Sequence, residues 1–375
     1  MTTRTIASIG IVAGFVLAAS VATQLVFGQA ETPDVEGTSE QEAYEVPMTP
    51  WGEPDFQGVW GGRNQTVTPF ERPVELGDRA YLTDEEMAAL DQASKEAQAK
   101  RDRLFQEGTG ADLGLRNQTF EERAEKDAVI TGFEYNTFWV DTGFAARVFR
   151  QTSLVMAPKN GRIPYEPLLQ ERMAFSRHVV SSNPPADFVN RSWRDRDFGE
   201  RCITDGLPGT LWNGTGPTMI IQGPGYVSLL MEQFRDRRII PTDGREHENI
   251  SGWFGNGRGH WEGDTLVVDT NNFLDKTAHW PEDRFSTEWR TPTATQHMVE
   301  RFTRVAADTI DYEMTLTDPS RFTEPITVKF PFRQHPQEQE FYEYACHEGN
   351  YGMIHLLSQA RNVERAKRGQ PPLGH

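Results

Sequence analysis

The stretch that decides the fold is Gly259-His260-Trp261-Glu262-Gly263-Asp264-Thr265-Leu266-Val267-Val268-Asp269-Thr270. Two β-prone runs flank a Gly-Asp pair, which supplies the backbone freedom that a tight antiparallel turn demands. The same texture runs on both sides of it. Beyond residue 130, short stretches rich in Val, Ile, Thr, Tyr and Phe are separated by Gly, Pro, Asn and Asp. Downstream, residues 299–305, 309–317, 326–333 and 340–346 read as a meander, turning at Ala307-Asp308, at Asp318-Pro319 and near Pro336. Upstream, 225–231 pairs with 237–240 around Asp236, and 153–157 pairs with 163–165 around Lys159-Asn160-Gly161-Arg162. This spacing predicts a mainly β protein with flanking helices, its antiparallel sheet closed as a barrel or stacked as a sandwich.

Helices are few. Thr83-Asp84-Glu85-Glu86 has the pattern in which a Thr hydroxyl and a Glu carboxylate satisfy each other's orphan amides. Met87, Leu90, Ala97 and Leu104 follow at helical spacing, so a helix is predicted over 84–106. A shorter one starts at Thr119, where Glu122 repeats the capping pattern, and another apolar helical pattern covers 354–360. Arg4 precedes an apolar run over 6–27, and Gly28 and Ala30 offer a cleavage site. Residues 1–30 therefore read as a secretory signal peptide; an uncleaved anchor is the alternative, since about 20 apolar residues span a bilayer. The lack of a cysteine after the run excludes a lipoprotein anchor. Residues 31–46 are polar and acidic, a flexible leader. Residues 47–361 form the β-rich domain, as one body or as subdomains 47–200 and 201–361, and 362–375 form a polar tail. Trp51, Phe56, Val59 and Trp60 are the first expected core anchors.

The formal net charge of −17 comes without a basic stripe to offset it, which excludes nucleic acid and anionic membrane surfaces as partners. A mean hydropathy of −0.61 fits a soluble mature chain without a membrane span. The two cysteines, Cys202 and Cys346, would enter an oxidising compartment, periplasmic or extracellular, where one disulfide is the economical pairing. Two buried thiols are the alternative. The oligomeric state is not legible.

Chemistry-bearing residues crowd at Tyr344-Ala345-Cys346-His347-Glu348-Gly349-Asn350-Tyr351. His347 beside Glu348, with Asn350 and Tyr351 close by, has the makings of an acid/base site. Adjacent residues on an extended chain point oppositely, so Gly349-Asn350 must turn before both face one cleft; the competing reading is a capping and hydrogen-bonding knot. Glu300 is the subtler candidate. In Met298-Val299-Glu300-Arg301-Phe302 alternation puts it on an apolar face, and a buried carboxylate requires a partner. Arg258, Arg301 and Arg361 are the partners considered, for a ligand-handling group inside a barrel or for a structural pair. His260 and Glu262 share one strand face and, with Trp261, Arg258 and Arg301, form a candidate ligand-binding group.

No cofactor is expected, with a divalent metal held by His260, His297 and His347 as the alternative; His-x-His and His-Glu-x-x-His spacings are missing. A serine nucleophile lacks its Gly-x-Ser-x-Gly elbow. The glycine-rich stretch 206–225 lacks the strand, Gly-x-Gly-x-x-Gly and helix context of a nucleotide or flavin site. Nine tryptophans and twenty-two phenylalanines instead provide aromatic surface suited to a sugar-like or apolar small molecule.

Pro54-Asp55-Phe56-Gln57-Gly58-Val59-Trp60, Asn160-Gly161-Arg162-Ile163-Pro164, the 259–270 stretch, Val299-Glu300-Arg301-Phe302 and Cys346-His347-Glu348-Gly349-Asn350-Tyr351 resemble the recurring phrases of a family of secreted bacterial proteins. The resemblance covers most of residues 50–361 and implies export, but no activity. Gly58-Val59-Trp60 is also similar to the opening strand of lipocalins, which implies a barrel for part of the chain. The expected function is an exported protein that binds a small molecule in a cleft between the 259–264 turn and the 346–351 cluster. The alternatives are a periplasmic hydrolase, lyase or isomerase, using His347 and Glu348 with His260 or Glu300, and an envelope scaffold.

Overall fold

The computed structural model describes residues 44–61, 68–106, 150–171, 198–204, 206–209, 217–274, 293–334 and 341–373. Its strands are β1 (Gly58–Gly61), β2 (Val155–Ala157), β3 (Thr218–Gly223), β4 (Tyr226–Met231), β5 (Arg237–Pro241), β6 (Asn256–Glu262), β7 (Thr265–Asn271), β8 (His297–Ala306), β9 (Thr309–Thr317) and β10 (Ile326–Gln334). They form one antiparallel sheet in the order β5-β4-β3-β1-β10-β9-β8-β7-β6, with β2 added to β10. The sheet curls into a nearly closed barrel. Of the two readings of the sequence, the barrel stands and the sandwich does not.

Closure happens where β5 meets β6, the two ends of the hydrogen-bonded order. A Cβ at Gly259 would lie 3.0 Å from Ile240 Cγ2 and 2.9 Å from Thr242 Cγ2, so only glycine allows the approach. Strand alternation fills the inside: Leu266, Val268, Met298, Phe302, Met314 and Val328 are all buried. Tyr312 packs at ring distances of 4.9, 4.8 and 5.3 Å from Phe302, Phe330 and Phe332.

The barrel has two ends. At the entry end the chain runs into β1 and the β6–β7 and β8–β9 turns close. At the knot end lie the β4–β5 turn, the starts of β6 and β8 and the β9–β10 connection. Among the described residues two long helices accompany the barrel, α1 (Asp84–Gln106) and α2 (Tyr351–Lys367). The predicted capping box of α1 forms: Glu86 N donates to Thr83 Oγ1 at 3.2 Å and Thr83 N to Glu86 Oε2 at 2.9 Å. Arg79 grips the same Glu86 carboxylate and, with the Thr83 amide, holds it at about 2.

Several expectations are corrected. The stretch 153–157 does not pair with 163–165; β2 pairs with β10, and Tyr165 bridges Phe322. Glycine-rich 206–225 hides a strand, β3, whose apolar Met219, Ile220 and Ile221 outweigh the flanking glycines. Residues 341–345 make no strand, because the β4–β5 turn takes their polar groups. Val46 is buried in the core, so the fold begins inside the expected leader. α2 continues through Lys367, into the expected polar tail. The chain does not divide at residue 200, since β1 and β2 pair with β3 and β10. The helix expected at Thr119 lies outside the described residues.

Candidate functional site

Glu300 lies inside the barrel as alternation requires, and it is completely buried. Its partner is none of the three arginines considered. Arg238 of β5 reaches across, NH1 donating to Oε1 at 2.9 Å and NH2 to Oε2 at 2.5 Å. The Tyr312 hydroxyl donates to Oε1 at 3.0 Å, and Arg238 NH2 also reaches Thr270 Oγ1 at 3.5 Å. Burial opposes the Arg238 charge, but Glu300 outweighs it and keeps the guanidinium protonated. Burial, then the Glu300 charge, push the Tyr312 hydroxyl well above its ordinary range. Two charges removed from water and bonded to each other by two parallel N–H···O contacts form a rigid centre, and breaking one side would leave an uncompensated buried ion.

The entry end is built differently. Gln222, on the inner face of β3, accepts from Phe56 N at 2.6 Å and donates to Pro54 O at 3.0 Å, so residues 54–56 are drawn over the barrel. Trp60, fully buried, donates its indole N–H to Phe56 O at 2.8 Å. The Arg304 guanidinium lies 5.4 Å from the Trp60 ring and donates to the Asp55 and Ala307 carbonyls. Phe56 meets Trp261 edge to face, centroids 5.4 Å apart. Around this plug three buried polar atoms have no hydrogen-bond partner: Trp261 Nε1, Arg304 Nε and Thr242 Oγ1. Thr242 touches Gly259, two residues before Trp261 on the same inner face. Leaving such a group unpaired costs about 1–3 kcal/mol.

On the outer face, His260 Nε2 stands 3.1 Å from Glu262 Oε1, and Arg301 NH2 donates to Glu262 Oε2 at 2.7 Å. Arg301, then His260, hold the Glu262 carboxyl below its ordinary range. Alternation put His260 and Glu262 on one face, as found, but it places Trp261 on the opposite, inner face, and Arg301 joins the pair from β8. Arg258 is also outside, bonded to the Glu246 carbonyl. His297 Nε2 lies 2.7 Å from Asp269 Oδ2, and His247 Nε2 lies 2.9 Å from the other oxygen. That pairing joins residues 22 and 28 apart and has no local signal.

The C-terminal cluster forms a tied knot. Cys202 and Cys346 are joined by a disulfide. Asn350 caps α2, accepting from Met353 N at 3.3 Å and donating to Glu200 O at 2.7 Å. Tyr342 N donates to Glu232 Oε2 at 2.8 Å and Tyr344 packs 5.0 Å from Phe234, fastening the segment to the β4–β5 turn. His347 and Glu348 lie exposed on the turn, and Tyr351 is exposed at the first residue of α2. Arg361 pairs with Glu364. His347 thus belongs to the knot end, whereas His260 stands near the β6–β7 turn of the entry end. His260, His297 and His347 do not converge, and among the described residues no group of three His, Cys, Asp or Glu side chains is placed to hold a metal.

No family model, no curated protein and no solved structure matches the chain. The fold defines the class, a mainly β barrel with flanking helices and a disulfide, and the reading of its site rests on the geometry.

Proposed function

We propose that this is an exported barrel protein that binds a small molecule at the entry end, beneath residues 54–56. The observation that supports this reading is the group of unpartnered buried polar atoms on Trp261, Arg304 and Thr242, set among Phe56 and Trp60. Few such groups occur in native interiors, and each calls for a ligand, ion or strain to explain it. Two are N–H donors and the third is a hydroxyl, with aromatic walls beside them. The ligand is therefore a flat or apolar molecule carrying oxygen acceptors, a carboxylate or carbonyl, that replace the missing partners. Its place moves from a cleft between His260 and His347 to the barrel end, because those two histidines stand at opposite ends.

Export is supported by the apolar run over 6–27 with its small-residue cleavage site, and by the disulfide, a feature of oxidising compartments. Among the described residues no helix is long and apolar enough to cross a membrane.

The test is titration of the purified protein with a fluorescent polyene fatty acid, which combines an apolar body with a carboxylate. Saturable binding is expected, weakened about tenfold in Trp261→Phe at unchanged melting temperature, the effect of one lost hydrogen bond to a charged group. Binding that ignores this substitution, or no saturable binding, overturns the assignment.

A further inference from the structure

The seam where the barrel closes is spanned by a tied segment. Among the described residues no ladder joins β5 to β6, and the connection between them, residues 242–255, runs back along the outside from the entry end to the knot end. Polar bonds fasten it there. Arg258 Nε donates to Glu246 O at 2.8 Å, Glu248 N to Asn256 Oδ1 at 3.1 Å and Asn272 Nδ2 to Glu248 O at 2.8 Å. Among them sits His247, and both of its ring nitrogens meet oxygens: Nδ1 lies 2.8 Å from Asn256 O, and Nε2 lies 2.9 Å from Asp269 Oδ1.

A neutral imidazole carries one N–H and one lone pair. A peptide carbonyl and a carboxylate only accept, so His247 makes both bonds only with a proton on each nitrogen, as imidazolium. His297 differs. Its Nε2 meets the other Asp269 oxygen at 2.7 Å, a contact that one N–H supplies without charge on the ring. The charged and titratable groups around His247 are Asp269 from β7, His297 from β8, Arg258 from β6, and Glu246 and Glu248 beside it in the chain. Arg258 lies 3.7 Å from Glu248, and Asp243 pairs with Arg245.

We infer that His247 is a proton-operated clamp on the closing seam of the barrel: as imidazolium it ties the β5–β6 connection to β6 and to β7 at once, and on losing a proton it releases one of them. Histidine changes charge between about pH 5 and about pH 8. The two-point tie therefore stands on the acid side and is lost as pH rises, the reverse of a carboxylate held by cations. The His247 side chain is 27% exposed, so solvent screens the tie and the effect is local. It reaches the entry end through the chain, because the connection starts at Thr242, which carries an unmatched buried hydroxyl and touches Gly259 across the seam.

Hydrogen exchange of the purified protein tests this, read by mass spectrometry on the peptide over 243–255 and corrected for the intrinsic effect of pH on exchange. Protection should fall about fivefold from about pH 5 to about pH 8, the loss of one part-exposed charged hydrogen bond, while a peptide from β9 and β10 holds constant. His247→Gln, which keeps a side-chain N–H for one of the two oxygens, should show the lower protection at both ends of that range. His297→Ala should keep the fall. Protection of 243–255 that ignores pH overturns the inference, as does a fall that survives His247→Gln or one that vanishes in His297→Ala.

Discussion

The Asp318–Arg321 network of the knot end and the plug of the entry end handle buried polar groups in opposite ways. At the knot end Asp318 and Arg321 are 1% and 4% exposed and paired with each other, although Asn271 Oδ1 at the same end has no partner. Asp318 accepts from Thr293 and Thr295 hydroxyls at 2.6 and 2.8 Å and from Ser320 Oγ at 2.6 Å. Arg321 donates to Asp318 at 2.7 Å and to Gln296 Oε1 at 2.9 Å. At the entry end, Trp261, Arg304 and Thr242 each leave a buried polar atom unmatched. A saturated network has nothing left to offer a ligand and serves to lock strands together. The unsaturated one leaves buried polar atoms without partners, at some cost in stability.

The strongest way to break the comparison is at the knot end. Asp318→Ala removes the carboxylate bonded to the buried Arg321 guanidinium, and urea melts should show a loss of about 3–5 kcal/mol at pH 7. A loss below about 1 kcal/mol would mean that the network carries no structural weight. The contribution should also depend on pH. Burial alone pushes the Asp318 carboxyl up, but Arg321 and the surrounding hydroxyls outweigh it and hold it below its ordinary range. A carboxyl whose folded pKa is depressed stabilises the fold fully above its unfolded value, near 4, and loses that contribution as pH falls through the lowered folded value. The stability gap between the wild-type protein and Asp318→Asn should therefore shrink as pH is lowered from 5 to about 2; a constant gap would contradict the assignment.

A smaller effect is expected at the centre. Replacing Arg238 and Glu300 together by Met and Leu removes both charges and leaves no unpaired ion, so the change should stay within about 2 kcal/mol and can be stabilising. Glu300→Ala alone should cost clearly more, and equal costs would remove the pair from the list of coupled residues. The smallest effect, of reversed sign, belongs to the entry end. Trp261→Phe deletes an unmatched N–H and keeps an aromatic ring, so stability should rise or hold within about 1 kcal/mol. A loss of several kcal/mol would show that the indole N–H has a partner and would erase the contrast between the ends.

Much of the sheet was legible because its signals are local. Gly263-Asp264 marks the β6–β7 turn, Ala307-Asp308 the β8–β9 turn, and period-two alternation put Glu300 on the inner face. β3 was obscured by the glycines around it, and 341–345 was misread because this β-prone run is held by contacts with the β4–β5 turn instead. The site was less legible. Alternation places Trp261 with Gly259 on the inner face, so its inward position could have been read from residues already in view. Arg238 could not be paired with Glu300 in advance, since 62 residues separate them and several arginines were equally eligible. The crowding of residues around His347 and Glu348 coincides in the structure with the cap of α2 and a disulfide.

By itself the sequence determined the secondary-structure period, the turns, the capping box of α1 and the need for Glu300 to find a cation, because each depends on residues within a few positions or on the cost of a buried charge. Which cation answers Glu300, how β5 closes on β6 over Gly259, and which donors remain without partners at the entry end were decided only by the tertiary structure. Those outcomes depend on which strands the barrel brings side by side, and that is a property of closure rather than of any stretch of chain.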